Sequence, residues 1–218
     1  MTVSSTQSGS QTATLDTEHQ LGSTITTAGI YCLVVDTSNM TTTDKTILRA
    51  KTKCRSGDTS RLAFYSTFLN NSGNAYSPPV PIDTEVLFTL EQTDGTGRAF
   101  PWNILNLGGS CTSSASGSQT ATVTTEHTLG SEITVAGTYM LVVDTANMVN
   151  GDTLELRVKT KCKSGSSAVL HQLATFADVQ VTPNKYSMPV PIDTGVTFTL
   201  KQTTGTGRAF PWNVLKVG

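Results

Sequence analysis

The chain states one plan twice. Gly9-Ser10-Gln11-Thr12-Ala13-Thr14 returns as Gly117-Ser118-Gln119-Thr120-Ala121-Thr122, and Leu33-Val34-Val35-Asp36-Thr37 returns as Leu141-Val142-Val143-Asp144-Thr145, both displaced by 108 positions. The phrase Gly95-Thr96-Gly97-Arg98-Ala99-Phe100-Pro101-Trp102-Asn103 returns at Gly205 to Asn213, displaced by 110, so the second copy gains two residues between Cys162 and Pro189. A copy of this size is a complete folding unit, far longer than a solenoid repeat. Two domains follow, each long enough to bury its own core. Their expected limits are 1–108, with a polar N-terminal extension, and 117–218, joined by a small polar linker over 109–116. Two similar folds on one chain present a surface twice, which suits a binding or building protein and is rarely needed by an enzyme.

Charged residues are only 14% of the 218, well under the usual ~25%. Thr and Ser fill the polar positions, and β-branched Thr suits strands. Net charge is −1 without a basic run, so the footprint of a phosphate-backbone binder is missing and nucleic acid is not an expected partner. The stretch 1–20 has neither a basic start nor an apolar run, and no segment approaches ~18 consecutive apolar residues, so neither a leader nor a membrane partner is expected.

Apolar and polar residues alternate, and helical periodicity is nearly absent. Over 138–144 the alternation puts Tyr139, Leu141 and Val143 on one face. Over 153–162 it puts Leu154, Leu156 and Val158 inward and Glu155, Arg157, Lys159 and Lys161 outward. Asn150-Gly151 between these segments reads as a hairpin turn. Pro78-Pro79-Val80-Pro81 and Pro189-Val190-Pro191 read as an extended edge, since proline donates no ladder hydrogen bond. Val86, Phe88 and Leu90 alternate inward, as do Val196, Phe198 and Leu200. A last short strand carries Phe100, Trp102 and Leu105, or Phe210, Trp212 and Leu215. The fold class is therefore all-β: two tandem antiparallel sandwiches, immunoglobulin-like or jelly-roll.

Candidate chemistry is sparse. Gly95-Thr96-Gly97-Arg98 opens like a dinucleotide fingerprint, but Pro101 follows and no helix begins there, so it reads as a turn. Arg98, Trp102, Arg208 and Trp212, reused in both copies, either lock the last strand or face a partner, with the Trp rings expected as buried core plugs. His19, His127 and His171 lack zinc-ligand spacing. Asp144, Asn147, Asn150 and Asp152 crowd one turn without matching a calcium loop. No serine sits in a nucleophile motif. No catalytic residue, cofactor or metal is assigned. Cys54 and Cys162 are repeat equivalents on the expected inward parity of their strands, whereas Cys32 lies on the parity opposite Tyr31, Leu33 and Val35, so Cys32 and Cys54 are not expected to bond. Four cysteines without a symmetric scheme read as mostly reduced thiols. Cys111 stands alone in the expected linker, an exposed candidate for an intermolecular bond.

The run Thr138-Tyr139-Met140-Leu141-Val142-Val143-Asp144-Thr145-Ala146-Asn147-Met148, the strand from Asp152 to Lys161, Thr197-Phe198-Thr199-Leu200-Lys201-Gln202-Thr203 and the Gly-Thr-Gly-Arg-Ala-Phe-Pro-Trp ending resemble small β-rich structural proteins of tailed bacteriophages, of the capsid decoration or cement kind. The resemblance covers about 200 residues and rests on strand-and-turn phrases. The family usually carries one copy, so the duplication is a departure that leaves capsid, neck or tail open. What it implies is a non-enzymatic virion protein on the outer capsid, made in the host cytoplasm, whose partners are the major capsid protein or other virion proteins and, on the particle, copies of itself. The rival reading is a glycan-binding or host-attachment module with Tyr76, Trp102, Tyr186 and Trp212 as sugar platforms.

Overall fold

The computed structural model describes residues 2–69 and 73–218. The first repeat supplies β1 (Ser4–Thr12), β2 (Glu18–Gln20), β3 (Gly29–Asp36), β4 (Lys45–Thr52), β5 (Arg61–Leu69), β6 (Asn74–Tyr76), β7 (Val80–Ile82), β8 (Val86–Asp94) and β9 (Ala99–Asn106). The second supplies β10 (Cys111–Thr120), β11 (Glu126–Thr128), β12 (Gly137–Asp144), β13 (Thr153–Thr160), β14 (Val169–Ala177), β15 (Asn184–Tyr186), β16 (Val190–Ile192), β17 (Val196–Thr204) and β18 (Ala209–Val217). From β5 to β6 the chain advances five positions, Leu69 to Asn74, and from β14 to β15 seven, Ala177 to Asn184. The two-residue insertion therefore lies in that loop.

Each repeat folds into two facing sheets. In the first, one sheet runs β1-β9-β3-β6, with β7 on the same edge of β3, and the other runs β2-β8-β4-β5. The second repeats this as β10-β18-β12-β15 with β16, and β11-β17-β13-β14. The neighbours pair first with last and so on inward: β1 with β9, β2 with β8, β3 with β6 and β7, β4 with β5. That is a long hairpin rolled into two sheets, the jelly-roll alternative of the two that the strand pattern left open. The Pro-rich edge is explained by it: β7 pairs with the start of β3 and lines the sheet's rim, where a missing N–H costs nothing.

Outside the last strand of each copy, alternation chose the core correctly. Tyr31, Leu33, Val35, Leu48, Ala50, Val86, Phe88, Leu90, Phe100 and Ile104 fill the first sandwich. Tyr139, Leu141, Val143, Leu154, Val158, Phe198, Leu200, Phe210 and Val214 fill the second. Ile104 and Val214, not Leu105 and Leu215, continue the inward parity of the last strand. The outward side of β13 carries ion pairs, Arg157 with Glu126 and Glu155 and Lys159 with Glu126, as its solvated pattern implies.

Three expectations are corrected. The Asn150-Gly151 turn is not a hairpin, because β12 and β13 belong to opposite sheets and the turn carries the chain across the core. Local turn chemistry is identical in the two cases; the apolar faces of β12 and β13 decide, since each must look at the other across the sandwich. Next, the polar N-terminal extension is largely β1, paired with β9 from Ser4↔Asn106 to Thr12↔Ala99. Likewise the expected linker is mostly strand, since β10 begins at Cys111. The pattern concealed both because an edge strand that sets its own glycine against a tryptophan ring needs no apolar alternation.

The chain divides into two compact units: Met1–Lys53 with Leu62–Cys111, and Cys54–Arg61 with Thr112–Gly218. The segment Cys54–Arg61, encoded in the first repeat, thus belongs to the second unit.

Candidate functional site

Arg98 and Arg208 are structural. The Nε of Arg98 donates to Asp44 Oδ2 at 3.0 Å and that of Arg208 to Asp152 Oδ2 at 3.1 Å. Asp44 also accepts from the backbone N–H of Thr41 at 2.7 Å and Thr96 at 3.2 Å, and Asp152 from Val149 at 2.9 Å and Thr206 at 3.2 Å. Burial would raise both carboxyl pKa values, but these donors and the guanidinium outweigh it and hold both below the usual carboxylate range. Inside each loop Gln92 or Gln202 donates to two carbonyls and accepts from the Arg98 or Arg208 N–H. At Gly95 and Gly205, where φ is 90° and 89°, a Cβ would collide with the Asp44 or Asp152 carboxylate. The motif is therefore a cage that locks the last strand.

The tryptophans lie over glycines. Trp212 is 7% exposed and part of the second core, whereas Trp102 is half-buried against the first. A Cβ at Gly9 or Gly117 would come within 2.9 Å of the Trp102 or Trp212 ring, so Gly-Ser-Gln-Thr recurs because the ring needs a bare backbone beneath it. His19 and His127 are likewise structural, each ring Nε2 accepting the Thr14 or Thr122 N–H at 2.9 Å. Among the crowded turn oxygens, Asp144 accepts the Ala146 N–H at 2.8 Å, and the Asn147 amide donates to the Ala209 carbonyl at 2.7 Å.

Cys111 is 0% exposed, not an exposed linker thiol. Burial, with the Asp83 charge adding to it, pushes its pKa up to about 12. Cys54 is 1% exposed and raised well above the ordinary thiol range by burial, whereas its equivalent Cys162 is exposed, against its expected inward parity. Both follow the ends of their strands, so strand parity does not govern them. Cys32 is buried on the face opposite Tyr31 and Leu33, as expected, and its thiol donates to the Ser77 carbonyl at 3.1 Å. All four are free thiols.

The feature that sequence reasoning missed lies at the rim of the second sandwich. Between its sheets opens a cleft of about 380 Å³ floored by the core residues Leu141, Leu156 and Val158 and edged by Gln172, Leu173 and Met188. The equivalent of Gln172 in the first unit is Phe64, which packs against the core there. The Gln172 Nε2 is shut from solvent without a hydrogen-bond partner, a state that costs about 1–3 kcal/mol. Leu170, Leu173 and Met188 are 53%, 51% and 67% exposed. Nearby, the Lys185 ammonium sits 4.9 Å from the centre of the Phe176 ring, and burial lowers its pKa. Strand β14 is the edge of its sheet, with unpaired backbone groups beside these apolar side chains. The available signal was the Phe64 to Gln172 exchange, a polar residue at a position where the other copy is aromatic.

No family model matches the sequence, and no curated protein matches it. Among solved structures, similarity extends to the tandem CBM22-1–CBM22-2 domain of Paenibacillus barcinonensis Xyn10C, at 8% identity over 99% of this chain and 89% of that one, with a TM-score of 0.32. It extends also to the CUB1-EGF-CUB2 domain of human MASP-1/3, at 9% identity over 97% and 99%, with a TM-score of 0.24.

Proposed function

We propose that the chain is a non-enzymatic virion structural protein that docks on a bacteriophage capsid and stabilises it, with the second unit making the contact. The observation that carries the docking is the apolar rim of the second sandwich: an open cleft with an unmet amide donor, beside an edge strand whose Leu170 and Leu173 face solvent. Exposed apolar surface of this kind marks an interaction site. A partner's apolar side chain fits the cleft and its carbonyl answers Gln172. The capsid as partner rests on the sequence resemblance. Jelly rolls serve both capsids and lectins, so the fold does not choose between them.

The glycan-binding alternative loses Trp212, which is core, and keeps Trp102 only in part, half-buried against the first core with the rest of the ring lining the recess beside Pro101. It also retains Tyr76, 57% exposed, and Tyr186, half-buried in the wall of the second unit's cleft.

A protein that binds only the assembled lattice stabilises it by its binding free energy. The test is occupancy on particles washed at low and high salt, then melting of decorated and stripped particles. Occupancy that survives salt above ~0.15 M and a higher melting temperature for decorated particles are expected. Release at moderate salt or identical melting defeats the reading.

A further inference from the structure

We propose that this chain associates with itself head to tail, the loop 162–169 of one molecule seating on the outer face of β3 and β9 in the first unit of the next. The template lies within the second unit. There Cys54–Arg61 sits on the outer face of β12 and β18. Asn213 Nδ2 donates to the Cys54 carbonyl at 3.0 Å, the Cys54 thiol donates to the Val142 carbonyl at 3.5 Å, and Arg61 lies 3.5 Å from Asp144. Cys54, Val142 and Asn213 are 1%, 2% and 1% exposed.

Duplication leaves one more copy of each half. The repeat equivalent of Cys54–Arg61 is 162–169, which keeps Cys162 for Cys54, Ser164 for Ser56 and Gly165 for Gly57. It also keeps the fold of the seated loop: Ser166 N–H donates to the Lys163 carbonyl at 3.1 Å as Asp58 does to Arg55 at 3.2 Å, and Gly165 and Gly57 have φ of 79° and 87°. Yet Cys162 is exposed where Cys54 is buried.

On the other side, Asn213, Val142 and Asp144 have the equivalents Asn103, Val34 and Asp36. These three are only half-buried, and they line a shallow recess of about 290 Å³ on the outer face. A preformed loop and its preserved seat, each open, are complementary by descent. Val169 stands for Arg61, so the Arg61–Asp144 ion pair is not repeated, while the backbone and amide contacts are. Because donor and acceptor are different surfaces, the interface is heterologous and propagates into rings or filaments. A single-loop contact of this size is weak, on the order of micromolar to millimolar.

The experiment is sedimentation of the full chain under reducing conditions, at concentrations up to about 1 mM. The natural chain is expected to gain mass with concentration. Val34→Lys on the acceptor face and Cys162→Arg on the donor loop should each weaken association by more than about tenfold, with unchanged melting. Asn103→Asp replaces the first variant if that one does not fold. An equimolar mixture of donor and acceptor variants should form dimers and stop there, because one intact loop and one intact seat remain. A natural chain that stays monomeric, variants that still associate, or a mixture that stays monomeric overturns the proposal.

Discussion

The two units share one roll of strands and differ at one rim. Phe64 closes the first sandwich by packing on its core, while Gln172 leaves the second open over Leu141, Leu156 and Val158. The first unit has Tyr65 where the second has Leu173, and Pro78 where it has Met188. The two copies thus diverge by side-chain exchange at an edge, where the core tolerates it. The same division recurs at the tryptophans, one buried in a core and one half-buried against it.

The largest contrast is expected from the tryptophans. Trp212→Ala should cost the second unit about 3–5 kcal/mol, and Trp102→Ala should cost the first about 2 kcal/mol. Denaturant unfolding followed by circular dichroism reads both, and because each unit holds one of the two tryptophans the survivor's fluorescence marks the transition of the intact unit and so assigns the other to the mutated one. Equal costs would erase the distinction between core and cover.

Removing a cage carboxylate should treat the units alike. Asp44→Ala or Asp152→Ala strands two backbone donors and an arginine, a loss of about 2–4 kcal/mol in either unit. Since both carboxyls are lowered by folding, their stabilisation is present above the unfolded value of about 3.9 and is lost as pH falls through the depressed folded values. Both unfolding transitions should shift together in acid, which melts recorded across pH 2 to 6 would show. A transition that ignores acid in one unit would mean its cage is not formed.

Gln172→Phe should make the second rim like the first. It is expected to add about 1–2 kcal/mol to the second transition by filling the cleft and removing the unmet donor, and to lower particle occupancy. Gained stability with unchanged occupancy would move the docking surface elsewhere. The smallest effect is chemical: a thiol reagent should label Cys162 first, leaving Cys32, Cys54 and Cys111 to react only on unfolding. Labelled peptides identified by mass spectrometry check the order.

Much of the fold was legible because burial imposes period two on every strand with one wet face: Tyr139, Leu141 and Val143 announced themselves. Strands β1 and β10 did not, since glycine beneath a tryptophan replaces the apolar residue a pattern search needs. The crossing between β12 and β13 was misread as a hairpin for a related reason, because an Asn-Gly turn bends the chain equally well within a sheet or between two.

The sequence alone determined the duplication, the all-β class, the core parity and the jelly-roll as one of two alternatives, because these are short-range consequences of alternation and repetition. Only the tertiary structure decided the roll, the burial of Cys111, the open rim at Gln172 and the placement of Cys54–Arg61 in the second unit. Each depends on which surfaces meet across long separations in the chain, and two copies of nearly the same text, Cys54 and Cys162, end in opposite environments for that reason.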